Sequence, residues 1–239
     1  MQITIENIEK SYGRHRVING LSLNMHNAEI VGLLGPNGAG KTTTFHIIVG
    51  LIKADSGDIF FNSENITNLA VHQRARRGLV YLAQESSVFR GLTVQGNILS
   101  VLEMFDLTDE ERQDRCETLL NQLSIYHLKD RYPHTLSGGE RRRTEIARAL
   151  AINPKFILLD EPFVGIDPIT VTDIQNIIKE LKKSGIGIVL TDHNVREALE
   201  IIDRAYIIYD GKILIEGTSQ QLLESEEARK IYLGEKFRM

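Results

Sequence analysis

The sequence has a single cysteine, Cys116, so no disulfide framework forms within the chain, and a reducing compartment is the expectation. Cys116 reads as an ordinary helix residue. No apolar run approaches the roughly 20 residues that a membrane-spanning helix needs. The opening MQITIENIEK alternates and carries acid, unlike a secretory signal. A chain soluble by itself is therefore expected. Excess positive charge is absent too: the formal net charge is −4 over 239 residues, which gives no global basic field for nucleic acid. No internal repeat or low-complexity linker interrupts the sequence. What is present is an ordinary globular composition, 42% hydrophobic and 25% charged, long enough for one large domain or a domain with an inserted lobe.

Against that background the stretch GPNGAGKT at 35–42 stands out. It follows the apolar run Ile30, Val31, Gly32, Leu33, Leu34 and satisfies G-x-x-x-x-G-K-[ST] through Gly35, Gly40, Lys41 and Thr42. Glycine backbone lets successive N–H groups turn inward as an anion nest, and the helix expected over 41–50 aims its N-terminal donors at the same point. In such a loop, made here of Gly35, Pro36, Asn37, Gly38, Ala39, Gly40, Lys41, Thr42 and Thr43, the lysine reaches the β and γ phosphates of a nucleotide. The Thr42 hydroxyl would ligate Mg²⁺.

The rest of the chain alternates strands and helices. Ile3, Ile5 and Ile8 mark a first strand, 17–23 a second, 29–34 a third, and 59–62 a short one after a turn at Ser56, Gly57 and Asp58. A further strand is expected at 79–82. From about residue 86 the sequence reads as an inserted helical lobe, 86–152: a helix capped by Thr93 and running to about Phe105, a second boxed by Thr108 and Glu111, a third after Ser137. Strands return at 156–159 and 187–190. Between them lies a helix opened by Asp167 and Pro168, and Asn194 with Glu197 boxes the next one. Asp210-Gly211 signals a hairpin, and a last helix follows Thr218 or Ser219. The fold class is α/β, a mostly parallel sheet covered on both faces.

Two more segments bear on the phosphate loop. The apolar strand ending in Asp160-Glu161 delivers carboxylates to the same sheet edge. Asp160 would hold the metal through water, and Glu161, pointing elsewhere, could polarise the attacking water. The string LSGGERRRTEIARAL at 136–150 begins a helix with the box Ser137 and Glu140, and Gly138 and Gly139 leave its first N–H groups unobstructed. One nucleotide has no use for two anion sites in one chain, so a head-to-tail homodimer is expected. On this helix Arg141 and Glu145 are spaced as an i,i+4 pair, and Arg141 to Arg143 read as a solvated face.

These motifs, in this order, resemble the ATP-binding-cassette (ABC) ATPases over essentially the whole chain. LSGGE resembles the family signature, with Glu140 where glutamine is commoner. The resemblance implies a P-loop NTPase with an N-terminal antiparallel β subdomain and an inserted α-helical subdomain. Its nucleotide-binding core would comprise 1–85 and 153–217, followed by a C-terminal helix and tail over 218–239. It also implies roles that pattern alone leaves bland. Tyr12 would stack on adenine, and Gln84 would ligate Mg²⁺ and sense the γ-phosphate. Asp167 would communicate between sites, and His193 would contact the γ-phosphate. ATP and Mg²⁺ are the implied cofactors. Phe89, as an aromatic anchor, and Arg90 would receive two integral membrane subunits, placing the chain on the cytoplasmic face of an inner membrane. Within the family, the strings TDHNVREAL and IYLGEKFRM resemble ATPases of lipopolysaccharide export, and residues 235–239 would stabilise the complex. A branched-chain amino-acid importer and a soluble, non-transport cassette stay open at this point.

Overall fold

The computed structural model describes residues 1–228 and 230. Two long strands, β1 (Gln2–Tyr12) and β2 (His15–His26), lead to the buried β3 (Ile30–Leu34) and, across the glycine loop, to α1 (Lys41–Val49). Next come β4 (Ser56–Phe61), the short β5 (Glu64–Asn65), α2 (Val71–Arg76) and β6 (Leu79–Leu82). Three helices follow: α3 (Val94–Leu102), α4 (Asp109–Gln122) and α5 (Gly138–Leu150). The chain then runs through β7 (Phe156–Asp160), α6 (Pro168–Lys183), β8 (Gly187–Thr191), α7 (Val195–Leu199), β9 (Arg204–Tyr209) and β10 (Lys212–Thr218) to α8 (Ser219–Glu224) and α9 (Glu226–Ala228). The ending 231–239, with the role expected for 235–239, lies outside the described residues.

Two sheets form. One is four-stranded and antiparallel, in the order β2-β1-β4-β5; the other is six-stranded, in the order β10-β9-β3-β8-β7-β6. All pairings in the larger sheet are parallel except β9 with β10. Its central strands are buried on both faces, which is why they read as unbroken apolar runs. The period of two then sorts each strand between two cores. Ile30, Leu34, Ile157, Leu159, Ile188 and Leu190 join the cluster that α3 to α6 cover. Val31, Leu33, Phe156, Leu158 and Val189 join the cluster formed with α1 and the antiparallel sheet. The lobe helices share the first cluster with the sheet; Ile98, Leu120 and Ile146 belong to it.

The structure departs from the sequence expectations at identifiable places. Ser56, Gly57 and Asp58 form the start of β4, not a turn. The register with β1 slips between Glu6 and Glu9, and a Cβ at Gly57 would lie 2.4 Å from the Asn7 carbonyl oxygen, so a bulge replaces the turn. The helix capped by Thr93 ends at Leu102 rather than near Phe105. Asn194 does not cap α7 with its side chain; its N–H donates to Asp192 Oδ1 at 2.8 Å. The boxes at Thr108 and Ser137 do form, as does the hairpin at Asp210 and Gly211, both at positive φ. No local pattern announced α2. Its buried Arg74 donates to the carbonyls of Ile47 and Ile48, so a cation caps the negative end of α1.

Candidate functional site

α1 begins where β3 ends. Its N-cap is Gly40, in a left-handed conformation at φ 104°, and no side chain caps it, so the first N–H groups of the helix are open. Lys41 is buried, and its ammonium donates to the carbonyls of Gly35 at 2.8 Å and Pro36 at 3.0 Å, which folds the loop around it. Burial pulls its pKa down, while the charges of Glu161 and Asp160 push it back up. Asn37, Gly38, Gly40, Lys41, Thr42 and Thr43 line a cleft of about 410 Å³, closed on other sides by His15, Val17, Glu161 and His193.

Asp160 ends β7. Its Oδ1 accepts from the hydroxyl of Thr191 at 2.6 Å, and its Oδ2 accepts from the hydroxyl of Tyr81 at 3.0 Å. Glu161 breaks the strand at φ 48°, a conformation a glutamate seldom adopts. Its N–H is held by the carbonyl and hydroxyl of Thr191. The break turns its side chain into the cleft, where Oε1 meets His193 Nε2 at 2.5 Å. Oε2 is buried with no hydrogen-bond partner among the described residues. Burial raises the Glu161 pKa, an effect His193 opposes and the charges of Asp160 and Asp192 reinforce. Asp192 is buried as well and ties the two loops together, accepting from the N–H groups of Phe163 and Asn194.

The remaining expected residues are distributed around this centre. Gln84 lines a second cavity of about 200 Å³ with Gly138 and Arg142, and Glu161 forms the wall it shares with the cleft. Ser137, Gly139 and Glu140 line a groove with Thr170 and Asp173 that has no lining residue in common with the cleft. Asp167 caps α6 through the N–H and hydroxyl of Thr170. Tyr12 is half exposed, with Lys10 Nζ 5.6 Å from its ring centroid. Phe89 is 54% exposed, with the Arg148 guanidinium 5.2 Å from its ring centroid. Arg90 is exposed beside it.

Two readings of the α5 region change. The ion pair is Arg142 with Glu145 at 2.9 Å, not Arg141 with Glu145. Glu145 lies on the buried face, where it also accepts from the N–H of Ser87, and a residue three positions back shares that face whereas Arg141 donates to Leu136. The arginine run is therefore not a solvated face: Arg142 is buried, and Arg143 binds Asp173 at 2.7 Å. Gly139 also serves packing. A Cβ there would lie 2.1 Å from Thr170 Cγ2, so this glycine lets α5 pack on the start of α6. Gly139→Ala should cost about 1–3 kcal/mol of stability through overpacking. Adding Thr170→Ser, which removes Cγ2 and keeps the hydroxyl bonded to Asp167, should restore most of it. Urea midpoints of the two variants check this; a double variant no more stable than Gly139→Ala would place the cost elsewhere.

Sequence reasoning missed Tyr81, Thr191, Asp192 and His15. The only local signal was the polar pair Thr191-Asp192 closing an apolar strand. Among the described residues no helix is long and apolar enough to cross a membrane.

Comparison with known proteins fits this geometry. A family model described as ABC transporter matches residues 18–164. The lipopolysaccharide export system ATP-binding protein LptB of Haemophilus influenzae is 52% identical over 238 residues, 99% of each chain. Among solved structures, MJ1267, an ATP-binding cassette of an ABC transporter, superposes with a TM-score of 0.89 at 32% identity, covering 97% of this chain and 98% of that one. The cassette MJ0796, in a dimeric post-hydrolysis state bound to ADP and Pi, superposes with a TM-score of 0.81 at 26% identity, covering 91% of this chain and 98% of that one. With the glycine loop, Glu161 just past the end of β7 and His193 lining one cleft, and with a family match over more than half its length, the chain belongs to the ABC transporter family, as one of its ATP-hydrolysing cassettes.

Proposed function

We propose that two copies of this chain form the motor of a lipopolysaccharide exporter, each sandwiching ATP against the signature helix of the other. The observation that carries the reading is the meeting of Glu161 and His193 across the cleft from the uncapped start of α1. The 52% identity to LptB over the whole chain supports the cargo, and the dimeric MJ0796 structure supports the assembly.

On this reading the phosphates lie at the N-terminus of α1, with Lys41 giving its third N–H to them. Tyr12 stacks on adenine with the face that Lys10 leaves free. Thr42, Gln84 and, through water, Asp160 would hold Mg²⁺, and these hydroxyl, amide and carboxylate oxygens suit a hard cation that keeps several waters. When bound, that ion neutralises charge developing on the phosphates. Glu161 has Oε1 committed to His193, so Oε2 is the atom left to accept a proton from the attacking water. Ser137, Gly138, Gly139 and Glu140, lying off their own cleft, serve the nucleotide of the partner copy, and Asp167 sits at that junction. Hydrolysis removes the γ-phosphate bridge and opens the dimer.

The lobe over 86–152 then swings against the core over 1–85 and 153–217, and Phe89 and Arg90 pass the motion to two membrane subunits on the cytoplasmic face. Phe89 suits that task because it is exposed yet ordered: Asn97, fully buried, accepts from its N–H and donates to its carbonyl. Phe89→Ala is expected to leave ATP hydrolysis by the isolated protein near the parent level. It should weaken capture of integral membrane partners from a detergent extract by on the order of thirtyfold, a hot-spot loss of about 2 kcal/mol. Equal capture by parent and variant would contradict the assignment of this surface. Recovery of no membrane protein by the parent would contradict the transport reading itself.

A further inference from the structure

The carboxylate of Asp160 is held from both neighbouring strands. On one side Asp160 pairs directly with Thr191 of β8, whose hydroxyl reaches Oδ1 at 2.6 Å. On the other side the Tyr81 hydroxyl of β6 reaches Oδ2 at 3.0 Å. A second contact on Tyr81 fixes the direction of the chain: His46 Nε2 lies 3.1 Å from the same hydroxyl. A phenol has one proton to give. With that proton used in the hydrogen bond to the carboxylate, His46 Nε2 must carry a hydrogen and donate to the Tyr81 oxygen. The bonds therefore run from His46 to Tyr81 to Asp160.

Packing fixes the ring as well. Phe45 and His46 each meet the Tyr81 ring edge-on, at 6.4 Å and 5.4 Å, with interplanar angles of 88° and 89°. Phe45 and His46 belong to α1, the helix whose first turn closes the phosphate loop. Tyr81 thus spans from that helix to the end of β7. Each oxygen of Asp160 accepts one hydroxyl and keeps a lone pair to spare.

We propose that Tyr81 is a positioning residue for Asp160, setting the orientation in which this carboxylate holds the nucleotide's divalent cation, and that His46 orders Tyr81 in turn. The proposal rests on the reading of Asp160 as a residue of the metal site. On this reading Tyr81 touches neither nucleotide nor metal; it fixes the carboxylate that would hold the ion through water. Groups that orient a metal-holding residue typically change affinity by ten- to a hundredfold when removed.

The test uses the full chain with ADP and Mn²⁺, the metal being counted by the paramagnetic resonance of free Mn²⁺. Tyr81→Phe keeps the ring and its edge-on packing. It is expected to weaken Mn²⁺ binding to the ADP complex about tenfold. ADP affinity in EDTA should stay within about twofold of the parent, because a lost positioning bond acts on the metal alone. His46→Leu should weaken Mn²⁺ binding less, and should add nothing on top of Tyr81→Phe, because it acts only through the Tyr81 hydroxyl. Parent-like Mn²⁺ affinity in Tyr81→Phe overturns the proposal. So does an equal loss of ADP affinity in EDTA, which would make Tyr81 a packing residue of the whole pocket. Asp160→Asn separates the two levels. If it loses Mn²⁺ while Tyr81→Phe does not, the positioning role fails and the reading of Asp160 stands; if Asp160→Asn binds Mn²⁺ normally, both fail.

Discussion

Glu161→Gln should bind ATP with near-parent affinity and hydrolyse it at least about a hundredfold more slowly. The substitution keeps size and hydrogen-bonding reach, so the left-handed break at this position and the contact with His193 can persist. What disappears is the ability of Oε2, buried and without a partner among the described residues, to take a proton. The pH profile gives the same residue a second signature. Burial raises the Glu161 pKa above its ordinary 4.5. The carboxylate is the working form, so activity falls as pH drops through that raised value, and the acid limb of kcat/KM should lie above 4.5. In Glu161→Gln the residual rate should lack that limb. Near-normal turnover by the variant would take Glu161 out of the chemistry.

Lys41→Met should separate nucleotide binding from stability. In the free chain the Lys41 ammonium is buried, and the lowered pKa states that desolvation outweighs its carboxylate neighbours. A group whose folded pKa is depressed in this way opposes folding at any pH below its unfolded value. Its removal should therefore leave the free protein melting no lower than the parent, even though the bonds to the Gly35 and Pro36 carbonyls go. ATP binding should suffer in the opposite sense. A hydrogen bond to a charged group contributes about 1.5–3 kcal/mol, so losing the lysine's contact with phosphate lowers affinity by on the order of ten- to a hundredfold. Titration calorimetry with Mg·ATP, beside thermal melts without nucleotide, reads both. Parent-like ATP affinity would remove Lys41 from the phosphate site.

The parts of the site that were legible in the sequence are those written in consecutive residues. The phosphate loop announces itself because the eight consecutive residues 35–42 jointly provide permissive backbone, a cation and a hydroxyl. The central strands of the large sheet were legible as apolar runs, and the boxes at Thr108 and Ser137 as fixed spacings. The partners that hold Asp160 and Glu161 were not. Tyr81 reaches Asp160 from 79 residues away and Thr191 from 31, through a parallel register that no local pattern encodes. Arg142 was hidden for a related reason. Within a run of three arginines, spacing alone allowed a pair from Arg141 to Glu145, and only the burial of one face of α5 against 83–87 selects Arg142. At Gly139 the missing side chain was read only for the N–H groups it leaves open, and the packing of Thr170 from another helix on the same spot was not visible. In each case the local chemistry was visible, and the element brought against it was not.

The central claim is that each copy is half of a hydrolytic unit, completed by the other copy's signature helix. Sedimentation velocity of Glu161→Gln with and without saturating Mg·ATP tests it most directly. The account predicts a dimer that forms with Mg·ATP and dissociates when the nucleotide is removed. It also predicts loss of that dimer when Ser137→Arg is added, which puts a bulky cation at the start of α5. A species that stays monomeric at high protein concentration with ATP bound would contradict it.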